Sequence, residues 1–247
     1  MRREIAAAIA VGIGAAALGD ASHAGIVSIV ADRDATIYDS GALPLANGAG
    51  QYLFCGKNGN GQARRGLISF DLSSIGPGVT ITSATLTLHY SQGQATTTIA
   101  SLHRATASWT QGPTDPDGNE GGGAPAQVGD VTWTDRTFGG AQWATPGGDF
   151  DPNASAATAI GADFGIYAFT SAAMAGDVQA WLDGARENHG WFLVGDESAA
   201  STAKRFDSSE NSKIEFRPTL VIEYVVPAPG CIALCSLALV RFRRRPR

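Results

Sequence analysis

Residues 84–90 read Ala-Thr-Leu-Thr-Leu-His-Tyr. Ala84, Leu86, Leu88 and Tyr90 alternate with Thr85, Thr87 and His89. Only an extended strand turns a period of two into one apolar and one polar face. The pattern returns at Leu220, Ile222, Tyr224 and Val226, with Glu223 directed outward. Ile68, Phe70 and Leu72 make a third inward set, and Gly190-Trp-Phe-Leu-Val194 is apolar on both faces, as in the centre of a sheet. Further strands are expected at 26–31, 35–38, 51–55, 96–103, 128–134, 163–169 and 202–206. One segment has helical spacing: Met174, Val178, Trp181 and Leu182 share a face, with Ser171 as N-cap and Gly184 just past the end.

Eight of the fourteen residues in 112–125 are Gly or Pro, which excludes regular structure there. Residues 149–158 and 196–201 read as irregular too. Many short strands, one short helix and long Gly-rich loops predict an all-β fold, a β-sandwich of the jelly-roll type.

The two ends differ from this body. Residues 1–24 have a charged start, an Ala/Gly/Ile/Val run over 5–18, and Ala21-Ser-His-Ala24 with small residues where a signal peptidase reads. They predict a secretory signal cleaved between Ala24 and Gly25, because the apolar run is too short to span a membrane. The expected mature body, 25–226, then holds 11 Lys and Arg against 21 Asp and Glu, a net of −10. Such a charge disfavours nucleic acid and anionic membranes as partners. Cys55 is the one cysteine of that body, so the core has no disulfide to support it.

Motifs for catalysis are missing: there is no Gly-x-Ser-x-Gly, no His-Glu-x-x-His and no phosphate-binding loop. The chain is therefore expected not to be an enzyme. "DPDGNE" (115–120) sets Asp115, Asp117, Asn119 and Glu120 in a glycine-rich loop, a pattern that suits a solvated acidic turn first and a structural calcium ion second. Trp109, Trp133 and Trp143 flank the long loops and are candidate platforms for sugar rings, which stack their C–H faces on aromatic side chains. Arg64-Arg65 and Lys204-Arg205 are the close basic pairs of the body. They suit an acidic polysaccharide or plain solvation.

Several segments, in order, resemble one family. They are "RRGLISFDLSSIGPGVTITSATLTLHY" (64–90), "LHRATASWTQG" (102–112), "WATPGGDF" (143–150), "DVQAWLDGARENHGWFLVGDES" (177–198) and "AKRFDSSENSKIEFRPTLVIEY" (203–224). Together they are similar to DNRLRE-domain proteins, secreted β-sandwich modules related to carbohydrate-binding module family 96. The last segment departs from that family in having Ser209 where an arginine usually precedes the glutamate, here Glu210.

The tail, 227–247, has Pro227-Ala228-Pro229, an apolar run of 11 residues over 230–240 and five arginines. It resembles the PEP-CTERM sorting signal of exopolysaccharide-forming Gram-negative bacteria, without that signal's glutamate. The run reaches about half-way across a hydrocarbon core of roughly 30 Å. The resemblance implies a transient membrane association and processing at Pro227 and Pro229 by exosortase-like export machinery. These resemblances imply a non-catalytic protein exported to the cell surface or extracellular matrix, with a polysaccharide as ligand. The alternatives are a purely structural matrix protein and a polysaccharide-active enzyme.

Overall fold

A computed structural model describes residues 23–227. Thirteen strands and one helix follow in chain order: β1 (His23–Val30), β2 (Arg33–Tyr38), β3 (Leu45–Asn47), β4 (Tyr52–Lys57), β5 (Ala63–Ser69), β6 (Thr80–Gly93), β7 (Thr98–Arg104), β8 (Ala124–Pro125), β9 (Ala156–Ile160), β10 (Gly165–Thr170), α1 (Ala172–Leu182), β11 (Trp191–Val194), β12 (Lys204–Asp207) and β13 (Thr219–Val226). The fold is all-β and sandwich-like. Residues 24–226 form one compact unit. The unit made of 1–23 and 227–247 contributes only His23 and Pro227 to the described residues, so most of the leader and the tail, Pro229 included, lies outside them.

The two layers of the sandwich are one curled sheet, ordered β1-β13-β6-β12-β4-β5-β11-β7-β9. The register of β6 shows how its front half is built. Tyr90 opposes Gly165 of β10 and Phe206 of β12, while Thr87 opposes Ala168 of β10 and Thr219 of β13. Since a strand has two edges, β12 and β13 lie end to end along one edge of β6 and β10 along the other.

β4 joins the halves. Tyr52 to Cys55 pair with β12, and Gly56 and Lys57 pair with β5. Gly56 sits at the crossing with φ +90°, and a Cβ there would come within 2.9 Å of the Thr202 carbonyl oxygen. The bend therefore excludes a side chain on two counts.

The alternation works as expected except at Val226, at the end of β13, which is exposed. Leu86, Leu88, Tyr90, Leu220, Ile222, Ile68, Phe70 and Leu72 are buried in the main core, and Glu223 is exposed. Tyr224 is half-buried, its ring lying where a side chain on Gly25 would stand. The hydroxyl of Ser171 accepts the Met174 N–H at the start of α1, and Met174, Val178 and Trp181 face the core.

Residues 128–134 are a correction, because they form turns instead of a strand. Gly129 takes φ +98°, and the Asp130 carboxylate accepts the N–H groups of Thr114 and Gln127. The backbone of the segment is used in local turns: the N–H groups of Gly129, Asp130 and Thr132 donate to the carbonyls of Phe138, Gln127 and Asp135. Residues 156–158, expected to be irregular, belong to β9, which pairs with β7.

Candidate functional site

The two outer faces of the sandwich differ. Loop residues 105–150 cover the back face, where Trp109, Val131 and Trp143 form a second core with Ala35, Ile37, Leu67 and Phe192. On the front, β6, β12 and β4 lie side by side. Leu53, Cys55, Phe206, Leu88 and Tyr90 point into the core. Their alternate neighbours Tyr52, Phe54, Arg205, Asp207, His89 and Ser91 therefore point outward. Arg205 stands opposite Phe54 on one side and Gln92 on the other.

A cavity of about 440 Å³ opens on this face. Four cations line it: Lys57 from the end of β4, Arg64 from β5, and Lys204 and Arg205 from β12. The amides of Asn58, Gln92, Gln94 and Asn119 and the ring of Phe54 complete its character, and no Asp or Glu lines it.

Lys204, Arg205 and Arg64 lie against neutral groups. Lys204 is 1% exposed, and its ammonium donates to the carbonyls of Gln94 (2.7 Å) and Thr96 (2.8 Å). Burial lowers its pKa below the usual lysine value. Arg205 donates from Nε to the Ser91 hydroxyl at 3.1 Å and lies over the Tyr52 ring. Arg64 lies 5.7 Å from the centre of the Tyr38 ring, and its buried Nε has no hydrogen-bond partner. Burial lowers its pKa too. Among the described residues none of these four has a carboxylate within 4.0 Å, whereas Arg65 forms a two-pronged pair with Glu197 and Arg104 meets Asp151 and Asp177. Unneutralised cations behind low-dielectric walls focus a positive field into the cleft, although the body carries a net negative charge.

Of the basic pairs singled out from the sequence, Arg64, Lys204 and Arg205 line the cleft; the tryptophans and the acidic loop fall elsewhere, with one exception. Trp109 is 2% exposed, donates from its indole to the His189 carbonyl at 2.8 Å and is capped by Arg33. Trp143 is 5% exposed and donates to the Thr132 carbonyl at 2.9 Å. Neither ring has a free face for a sugar. Trp133 is half-buried with the Arg65 guanidinium 4.7 Å from its ring centre. These rings pack the loops onto the sheet.

In the acidic loop, Asp115, Asp117 and Asn119 are exposed and Glu120 turns inward with φ +56°. Its carboxylate accepts from Asn47 Nδ2 (3.1 Å), Gln51 N (2.9 Å) and Tyr52 N (2.9 Å). Burial raises its pKa against these bonds. Glu120 thus pins the loop to the β3–β4 turn, and among the described residues no group of three or more His, Cys, Asp or Glu is placed to hold a metal ion. Asn119 is the exception, since it lines the cationic cleft. Ala24 and Gly25 lie within β1, and Pro227 follows β13.

The cleft was hard to see in the sequence. Arg64 and Lys204-Arg205 stand out as basic pairs, but their convergence depends on β4 lying next to both β5 and β12. The outward His89 is another miss. Its Nδ1 is 2.5 Å from Asp207 Oδ2 and its ring stacks on Phe216.

Residues 26–114 match the family model for carbohydrate-binding module family 96. The match runs from β1 through β7 and includes Phe54, Lys57, Arg64 and Gln92 of the cleft; Lys204 and Arg205 lie beyond it. A comparison with curated proteins gives no match.

Proposed function

We propose that this chain is a non-catalytic carbohydrate-binding protein that holds an acidic polysaccharide in the cationic cleft. The observation that carries the reading is the set of four cations with no carboxylate among the lining residues. Arginine donors bind carboxylate and sulfate oxygens in geometries that water competes with poorly inside a cleft. The amides of Asn58, Gln92, Gln94 and Asn119 suit sugar hydroxyls, and the match of residues 26–114 to a carbohydrate-binding family supports the ligand class. The leader and tail sequences support export to the cell surface or matrix, where such a polymer is found.

Calorimetry against a polyuronate, a sulfated polysaccharide and a neutral glucan tests the reading. Binding to an acidic polymer, weakened by salt and lost on combined Arg64→Ala and Arg205→Ala substitution, is expected. Equal binding to the neutral glucan, or none to either acidic polymer, would refute it.

A further inference from the structure

A second cavity, of about 290 Å³, lies on the same outer face and shares Arg205 with the first. Arg205 and Asp207 are two residues apart on β12, so about 7 Å of strand separates the two positions. The floor of this cavity differs from the cleft. Tyr52 and His89 give it aromatic surface, and the His89 ring is fixed between Asp207 and a parallel stack on Phe216 at 3.8 Å. Lys213 stands at the wall, with its ammonium 5.0 Å from the Phe216 ring centre. Phe164 closes the other side and is 62% exposed. One side of the Phe164 ring packs on Tyr90, with ring centroids 5.2 Å apart, and the side left in water has the apolar face on which a pyranose ring stacks.

We propose that this cavity is a second sugar subsite, continuous with the cationic cleft through Arg205, so that one linear acidic chain longer than a disaccharide occupies both. The inference rests on the proposed binding of an acidic polysaccharide. In the first subsite the ligand is held by charge. In the second, one sugar face stacks on Phe164 while Lys213 and Arg205 flank its acidic group.

The test is calorimetry of the full chain with uronic-acid oligosaccharides from dimer to octamer. Affinity is expected to step up about tenfold once the oligomer covers both cavities, the gain of roughly one stacked ring. Phe164→Ala, with its melting curve checked because the ring packs on Tyr90, should remove the step and leave dimer binding as it was; Lys213→Ala should reduce the step. Dimer binding with no step in the unmodified chain, or a step that survives Phe164→Ala, would overturn the second subsite and leave the cleft reading standing. No binding at any length would overturn both.

Discussion

Arg205 holds its guanidinium carbon 3.8 Å from the centre of the Tyr52 ring. The two residues come from neighbouring strands and project from the same face. The ring braces the flat cation and leaves donors directed into the cleft. Arg205→Ala should weaken binding of an acidic polysaccharide about tenfold to a hundredfold, the range for a charge-assisted hydrogen bond. Arg205→Lys should recover only part of this, because a flexible ammonium does not stack. Titration calorimetry beside an unchanged melting curve checks both.

Salt should separate the cleft from an uncharged sugar site. Raising sodium chloride from low to near-molar concentration shortens the screening length from tens of ångströms to about 3 Å. Affinity for an acidic polymer should fall steeply over that range, and a flat profile would point to binding that is independent of the cations.

Glu120 predicts a structural effect where a metal ligand would show a metal effect. Glu120→Ala leaves the donors of Asn47, Gln51 and Tyr52 without their acceptor and should cost about 3 kcal/mol. Asp117→Ala, at an exposed position, should change stability by no more than about 0.5 kcal/mol. Urea denaturation with and without calcium measures both.

Trp109 and Trp143 should behave as core residues. Either change to Ala should cost about 3–5 kcal/mol, as for large aromatic truncations in packed interiors. Loss of sugar affinity with stability intact at either position would instead restore the aromatic-platform role.

Asp34 makes the fold lose stability as pH rises. It is buried, its carboxylate accepts the Ser209 N–H at 2.6 Å, and burial, reinforced by nearby Glu210, raises its pKa well above the ordinary value. The folded chain therefore keeps a proton that the unfolded chain releases near pH 4. The contribution to stability is complete below that pH and declines as pH rises through the window up to the raised pKa, by at most about 1.4 kcal/mol per pH unit. Asp34→Asn keeps the acceptor and removes the titration. Its stability should be flatter with pH and higher than that of the unmodified chain at mildly alkaline pH, as read from urea midpoints.

The sequence disclosed the strands that lie half-buried. Alternation at 84–90 and 220–226 and the helical face of Met174, Val178 and Trp181 needed no tertiary information, because each records a boundary between core and water. Val131 and Trp133 misled for the same reason. Apolar residues beneath a loop can mimic a strand, and only the turn bonds of Gly129, Asp130 and Thr132 show where the backbone polar groups go. The three tryptophans near the loops posed the same ambiguity, since a ring under a loop and a ring beside a cleft have similar neighbours in sequence. The cleft itself was the least legible part. Arg64 and Arg205 belong to different sheet halves, and their meeting depends on a single strand that serves both.

That strand has a mechanical consequence. Where many exported sandwiches are fastened across their layers by a disulfide, here the fastening is the peptide chain itself, at Cys55 and Gly56 of β4. Cys55 is fully buried and its thiol is pushed up to about 12 by that burial, so it is a poor nucleophile at neutral pH. Among the described residues Cys55 is the one cysteine, so no disulfide there offers a reductant a bond to cut between the layers. A backbone crossing of this kind holds the two layers together whatever the redox conditions around it.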